Sequence, residues 1–405
     1  MTTIEKLIED MEYEYISDEP FNDYAIKEYI KKNGVKEVCD WTEEESTCIL
    51  MSDLVEFIDK RIQTDYVEPY YAGAGYDKEE TFYEDRFPGL FVQSSLEVLT
   101  DHLVDTPFEI LKYIADRLSE EYWTRKELYE PLQGELDAQN WEKFKYLIKH
   151  KVRFMFFNES EKHETPSYES YSDPYTILKK FRDAIFTHEL IVEIEANKLD
   201  IYRARMHKRQ KRQLNFTELG PPPEEIAQAN RLSPAGITMF YGALEEETAI
   251  IEVLDINKPD YFITTGRFSN LKALRLIDFT QLNWISIFDE ANEKKRETYV
   301  LLSQFLEDLT KPISNDGSQH IEYIPTQVVT EYLKSSFNSD LNQEIHGLIF
   351  PSTKRKGHEN VVLFFNGQNV TNDKNELDKY LLLNPMPISK YQINELNFSV
   401  LNTNF

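Results

Sequence analysis

Residues 231–254 read "RLSPAGITMFYGALEEETAIIEVL". The segment "ITMFYGA" (237–243) is short, apolar and aromatic, as a strand is. It runs into "EEETAIIEVL" (245–254), where acids open a stretch with helical spacing. One carboxylate, Glu252, stands among Ile250, Ile251, Val253 and Leu254. On a helical wheel Glu245, Thr248, Ala249 and Glu252 share a face, and Ile250, Val253 and Leu254 spread over the rest. Glu252 therefore looks out of a mostly buried helix through a gap framed by small residues. A carboxylate held there is costly unless an arginine or ligand hydroxyls pair with it. A core salt bridge and a ligand site both meet that condition.

Outward from this stretch the texture differs on the two sides. Upstream, "LVEFIDKRI", "SLEVLTDHLV", "PFEILKYIADRLSEEYW" and "NWEKFKYLIKHKVRFMFF" carry apolar residues at helical spacing, and "TILKKFRDAIFTHELIVEIEAN" predicts a last helix. Residues 159–176 are polar and bear prolines, as an exposed loop does. From about 198 onward "DIYRARM", "ITMFYGA", "DYFITTGRF", "KALRLIDF", "HGLIFPS" and "NVVLFF" alternate with helical patterns at 245–255, 285–309 and 325–337. The expected organisation is a helical domain over 1–190, without strands, and an α+β domain over 191–405 with a curved, antiparallel or mixed sheet.

The chain has 405 residues and a formal charge of −27, with 24 Tyr and 25 Phe. That charge repels nucleic acid and anionic membranes, so an anionic ligand needs a local basic pocket. The opening "MTTIEKLIEDMEYEY" has neither a basic n-region nor an apolar h-region. No apolar run reaches membrane-spanning length, and a cytoplasmic protein is expected. Cys39 and Cys48 match no zinc-binding spacing and read as reduced thiols, with no metal site expected.

Several other features invite a function. Gly73-Ala74-Gly75 lacks the third glycine of a dinucleotide fingerprint, with Lys78 in its place. Arg182 and His188 have a spacing that suits RNase chemistry, but two polar residues so spaced are common on a solvated helix face, which is the preferred reading. The basic runs "HKRQKR" (207–212) and "KRK" (354–356) read as solvated loops, or as a positive funnel for a diphosphate. Arg203, in "IYRARM", and Arg231, at the start of "RLSPAG", suit a diphosphate or a carboxylate. Tyr241 offers a flat face for stacking, though a core tyrosine looks the same. Ser352 follows a buried strand, where its hydroxyl either orients a substrate or simply serves a turn.

The ordered motifs "YRAR", "NRLSPAGITMFYGALEEETAIIEV", "YIPTQVVTEYL" and "HGLIFPS" resemble those of the RES domain, over roughly residues 195–400. The first half resembles the HEPN-like domain that accompanies some RES domains. The resemblance implies a fold similar to ADP-ribosyltransferases and a bacterial toxin that consumes NAD. It implies Arg203, Glu252 and Ser352 as the catalytic trio, with Arg231 and Tyr241 binding substrate. Asn230, Leu232 and Ser233 depart from the family's glycine, aromatic and asparagine around Arg231. NAD is then a substrate and no cofactor is expected. Inorganic phosphate, an antitoxin or regulatory protein, and a second copy of the chain are the expected partners.

Cleaving the nicotinamide–ribose bond passes through an oxocarbenium-like state that a carboxylate stabilises best where water is excluded. Glu252 would do this, Arg203 and Arg231 would hold the diphosphate, Tyr241 would stack, and Ser352 would order the ribose or nicotinamide. Water or phosphate would be the acceptor. Mono-ADP-ribosyl transfer to a macromolecule competes with this reading, although Ile250 stands where transferases carry an acceptor-directing acid or Gln. A module that binds NAD or a partner without turnover is the other alternative.

Overall fold

The computed structural model describes residues 13–72, 90–126, 133–153, 173–208, 216–311, 319–341, 344–384 and 390–392. Gly73-Ala74-Gly75, most of the 159–176 loop and residues 209–212 of the first basic run lie outside them. The chain divides into two compact units, Met1–Leu136 with Trp284–Glu297, and Asp137–Asn283 with Thr298–Phe405. This division differs from the expected boundary at 190. Trp141, Phe144, Phe181 and Ile185 share a core with Phe279 and Phe305, so their helices count with the second unit.

In the first unit, helices α1 (Tyr24–Asn33), α2 (Met51–Asp65), α3 (Ser95–His102) and α4 (Phe108–Ala115) supply most of the core. Their starts are legible in the sequence. Asp23 caps α1 by accepting from the backbone N–H of Ala25 and Ile26, and Ser94 and Glu97 form a capping box on α3. Two small sheets accompany the helices. One has β2 (Val35–Val38) and β1 (Tyr15–Ser17) flanking β3 (Glu45–Leu50); the other has β4 (Tyr66–Val67) and β5 (Gln93–Ser94) flanking β6 (Tyr122–Arg125). These strands have two to six residues, too few to show alternation. Cys39 and Cys48 are buried and unbridged.

Helix α5 (Gln133–His150) lies in the second unit from Asp137 onward, and α6 (Pro174–Thr187) follows it. The helix expected over 176–197 ends early. His188 caps it, Glu189 takes φ 56°, and Ile191–Ile194 becomes β7 at the edge of the sheet. The β-branched "IVEI" favours that strand once the chain has turned. Next come β8 (Asp200–His207), α7 (Phe216–Leu219), β9 (Phe240–Ala243), α8 (Glu246–Val253), β10 (Phe262–Asn270) and β11 (Leu274–Asp278). Helices α9 (Glu293–Thr310), α10 (Gln319–Glu322) and α11 (Ile324–Leu341) precede β12 (Gly347–Pro351), β13 (Glu359–Leu363), β14 (Val370–Thr371), β15 (Leu381–Leu383) and β16 (Lys390–Gln392).

The strands form one mixed sheet in the order β14-β15-β10-β8-β9-β13-β12-β11-β7, with β16 also on β10. All pairs are antiparallel except β11–β12 and β14–β15. The chain is thus α+β, a helical first half followed by a mixed sheet. Ile277, Leu348 and Val362 pack against α6, α9 and α11, while Ile201, Phe240, Phe268 and Val361 build a separate core.

One irregularity of the sheet positions the site. β8 pairs with β10 along residues 262–269, yet meets β9 at a single pair, Tyr202–Ala243. Beyond that pair the two central strands part. Gly242 stands at the parting, where an added Cβ would lie 2.5 Å from Ile201 Cγ2 and 2.9 Å from the Tyr202 carbonyl. Only glycine permits that approach.

Candidate active site

Helix α8 lies over the central strands, where Ala249 and Ile250 pack with Ala204, Ala243 and Ile263. Glu252 follows on the last turn and is half-buried. Its Oε1 accepts from Ser352 Oγ at 2.8 Å and from Asn360 Nδ2 at 2.7 Å. Its Oε2 accepts no hydrogen bond among the described residues. The carboxylate is therefore held in one orientation by one oxygen, with the other left to act.

Both donors come from the β12–β13 hairpin. Ser352 follows β12 and its backbone N–H bonds the His358 carbonyl at 2.7 Å, while Asn360 lies in β13 opposite Ala243. Between them, Gly357 takes φ 81° in the turn. The basic run 354–356 sits in this turn, and two of its members hold α8 in place. Lys354 Nζ donates to the Ile251 and Glu252 carbonyls at 3.3 and 2.6 Å, at the negative end of the helix dipole. Arg355 pairs with Glu245, with Glu247 at 2.7 Å and with Thr248 Oγ1 at 3.0 Å. The funnel expected of this run is corrected for Arg355, whose charge is neutralised by the first turn of α8.

Arg203 is 8% exposed and lies where β8 and β9 part. Its Nη1 donates 3.0 Å to the Tyr241 carbonyl, bridging the strands where the ladder has stopped, and its guanidinium stands 5.0 Å over the Phe240 ring. Burial, with the nearby charge of Arg205, pulls its pKa down to about 9. It remains a cation at neutral pH, and among the described residues no carboxylate pairs with it. Tyr241 shares a 2.9 Å hydrogen bond with Ser233 Oγ, and burial pushes its phenol up to about 12. The polar tip is thus tied to the protein and stays neutral, which leaves the ring to act.

Arg231 sits in the turn before β9. The turn is closed by Asn230 N–H to the Ser233 carbonyl at 2.7 Å. Helix α11 grips it from outside. Gln327 Nε2 donates to the Asn230 and Ser233 carbonyls at 2.8 and 3.2 Å, and Thr326 Oγ1 donates to the Arg231 carbonyl. The "PTQ" of "YIPTQVVTEYL" thus holds the arginine's backbone. Asn230 is not among the residues with positive φ, so the turn has no need of glycine there. Arg231 Nη1 reaches the Asp308 carbonyl at 3.4 Å, with the guanidinium 5.8 Å over the Tyr323 ring. Burial lowers its pKa, and Tyr323 and Glu252 partly offset that.

These elements enclose a cavity of about 480 Å³, in the range of ligand sites. Arg203, Arg205, Arg231, Tyr241, Glu252 and Asn360 line it. Four of the five residues singled out in the sequence thus share one cavity. Ser352 is 6% exposed and stands behind Glu252 rather than among the lining residues. Sequence reasoning missed Asn360 and Arg205. Asn360 carries no local signal, whereas Arg205 stands at i+2 from Arg203 in a strand, a spacing that was available to be read.

Arg182 and His188 form no comparable site. Arg182 donates twice to Asp183 Oδ1 at 3.0 Å, and His188 is 9% exposed at the end of α6. No group of three or more potential metal ligands occurs among the described residues. No helix among them is long and apolar enough to cross a membrane.

The chain is a RES-domain protein with a HEPN/RES N-terminal domain. Residues 32–162 match the model of HEPN/RES N-terminal domain 1, and residues 200–381 match that of the RES domain. A chain of the M. tuberculosis MbcT-MbcA toxin-antitoxin complex aligns at 11% identity, covering 55% of this chain and 95% of that one. The TM-score is 0.29, so that likeness carries no structural argument. No curated protein matches.

Proposed function

We propose that the RES half cleaves the nicotinamide–ribose bond of NAD, with water or inorganic phosphate as acceptor. The observation that carries this reading is one cavity in which a fixed carboxylate, Glu252, shares the walls with three guanidinium groups, of which Arg203 and Arg205 pair with no carboxylate among the described residues and Arg231 feels no carboxylate charge but that of Glu252 itself. Buried cations without counter-charge favour an anionic ligand. A diphosphate beside a sugar meets both halves of the arrangement. The C1′–N1 bond breaks and its electron pair leaves with nicotinamide, which departs neutral and needs no acid. Glu252, through Oε2, stabilises the cationic ribose while the acceptor oxygen attacks C1′ and gives up its proton to solvent. Arg203 and Arg231 hold the diphosphate, and the Tyr241 ring stacks.

Ile250 is 7% exposed within the α8 packing cluster, so the place of an acceptor-directing acid is taken by core. This favours a small acceptor over a macromolecular one. RES-domain membership supports a toxin restrained by an antitoxin in the cytoplasm. The test is chromatography of NAD products with and without phosphate. Free ADP-ribose or its phosphate supports the proposal, label retained on protein or nucleic acid supports transfer, and ligand-induced stabilisation without nicotinamide release supports a binding module.

A further inference from the structure

Arg205 lies two residues beyond Arg203 on β8, opposite Thr264 of β10. Strand alternation sends the two guanidinium groups to the same side. Its Nη2 donates 2.9 Å to the Gly220 carbonyl, at the end of α7. Its Nε–H is buried and has no hydrogen-bond partner among the described residues. An unmade hydrogen bond at a buried donor is costly, and an anionic ligand oxygen placed there would satisfy it. Among the described residues no carboxylate pairs with Arg205 either, and burial lowers its pKa. Its charge reaches Arg203 and adds to the depression there. Two like charges side by side on one strand therefore oppose each other at the wall of a single cavity. A ligand with two adjacent negative charges removes that repulsion, and a single carboxylate removes only part of it.

We propose that Arg203 and Arg205 together form a subsite for a phosphate dianion or a diphosphate, with Arg205 making the subsite doubly charged. This rests on the reading of the cavity as a dinucleotide site, and its occupant is either the diphosphate of NAD or inorganic phosphate acting as acceptor. Gly220, whose carbonyl orients Arg205, also lines a second cavity of about 410 Å³ with Pro221, Pro222 and Pro223. The position of that loop thus governs how Arg205 is aimed.

The test uses the full chain, wild type against Arg205→Gln and Arg205→Lys, with calorimetric titration of inorganic pyrophosphate and of ADP-ribose. Pyrophosphate has neither ribose nor nicotinamide, so its binding tests the subsite apart from the reaction. Arg205→Gln is expected to weaken pyrophosphate about tenfold to a hundredfold, with Arg205→Lys recovering part of the loss. Thermal melting of both variants confirms that they fold, and the Lys variant carries the test if the Gln variant does not. A parallel loss of ADP-ribose affinity assigns the subsite to the substrate's diphosphate. Unchanged ADP-ribose affinity with loss of the phosphate dependence of nicotinamide release assigns it to the acceptor. Pyrophosphate affinity equal to wild type in Arg205→Gln overturns the proposal, even if the chain consumes NAD. Lost pyrophosphate binding in a chain that never consumes NAD keeps the subsite and removes the reaction.

Discussion

Ser352 Oγ donates a 2.8 Å hydrogen bond to Glu252 Oε1, joining residues 100 positions apart. Asn360 Nδ2 donates to the same oxygen at 2.7 Å. Two donors on one carboxylate oxygen fix its plane and leave the second oxygen without a donor among the described residues. Ser352 is thus placed to position Glu252, a role nearer the protein than the substrate contact its place after a strand suggested.

Ser352→Ala and Asn360→Ala should each lower kcat about tenfold with little change in KM, because under the proposed function each removes one support from the group that acts in the transition state. The double variant should lose less than the product of the two losses, since both donors serve one oxygen. Steady-state kinetics of nicotinamide release check this. A rise in KM with kcat unchanged would make both residues substrate contacts instead.

Arg203 opposes folding in the absence of ligand. Its pKa of about 9 lies below the ordinary 12.5, so the unfolded chain holds the proton more tightly and the charge destabilises the fold at neutral pH. That contribution is relieved only as pH climbs through 9 toward 12.5. Arg203→Met should raise the melting temperature of the ligand-free protein by about 2–4 °C, as burying an apolar isostere in place of an unpaired ion does. The same variant should lose all stabilisation by ADP-ribose. Scanning calorimetry that shows a lower melting temperature would give the Nη1 bond to Tyr241 more weight than the charge.

His346 should make stability pH-dependent with the same sign. Its Nδ1 accepts from the Arg275 N–H at 3.0 Å, and burial depresses its pKa below 6.5. Unfolded imidazole therefore takes up the proton first. The His346 contribution is complete above about 6.5 and declines as the pH falls below it. His346→Asn, which keeps an acceptor near the Nδ1 position, should flatten that decline in urea unfolding at pH 7.5 and 5.5. An unchanged slope would place the titration elsewhere.

The α+β order and the strand–helix run around Glu252 are legible in the sequence because each element is long enough to show its period. Arg203, Arg231, Tyr241 and Glu252 could be picked out by side-chain chemistry at element ends. The parting of β8 from β9 could not, since it depends on how far two strands distant in sequence continue to pair. Asn360 was hidden for the same reason, its partner being 108 positions away. The two-residue strands of the first unit carry no periodicity at all. The basic turn was misread for a different reason. Lys354 and Arg355 look free along the chain, and only the hairpin brings them to the two ends of α8.

Arg355→Ala should loosen the first turn of α8 by less than ~1 kcal/mol, because Glu245 and Glu247 are about half exposed, at 48% and 58%. Hydrogen exchange of the α8 amides should rise while the melting temperature barely moves. Protection equal to wild type would mean that Lys354 alone secures the helix.

The most direct measurement is nicotinamide release from NAD by purified Glu252→Gln. The amide keeps an oxygen for Ser352 and Asn360 but removes the negative charge that the proposed reaction sets against the ribose. A loss of about 10²–10³-fold in kcat, with ADP-ribose still raising the melting temperature, is the expected result. Release at a rate near that of the wild type would contradict the assignment of Glu252 as the charge that stabilises the cleaving bond.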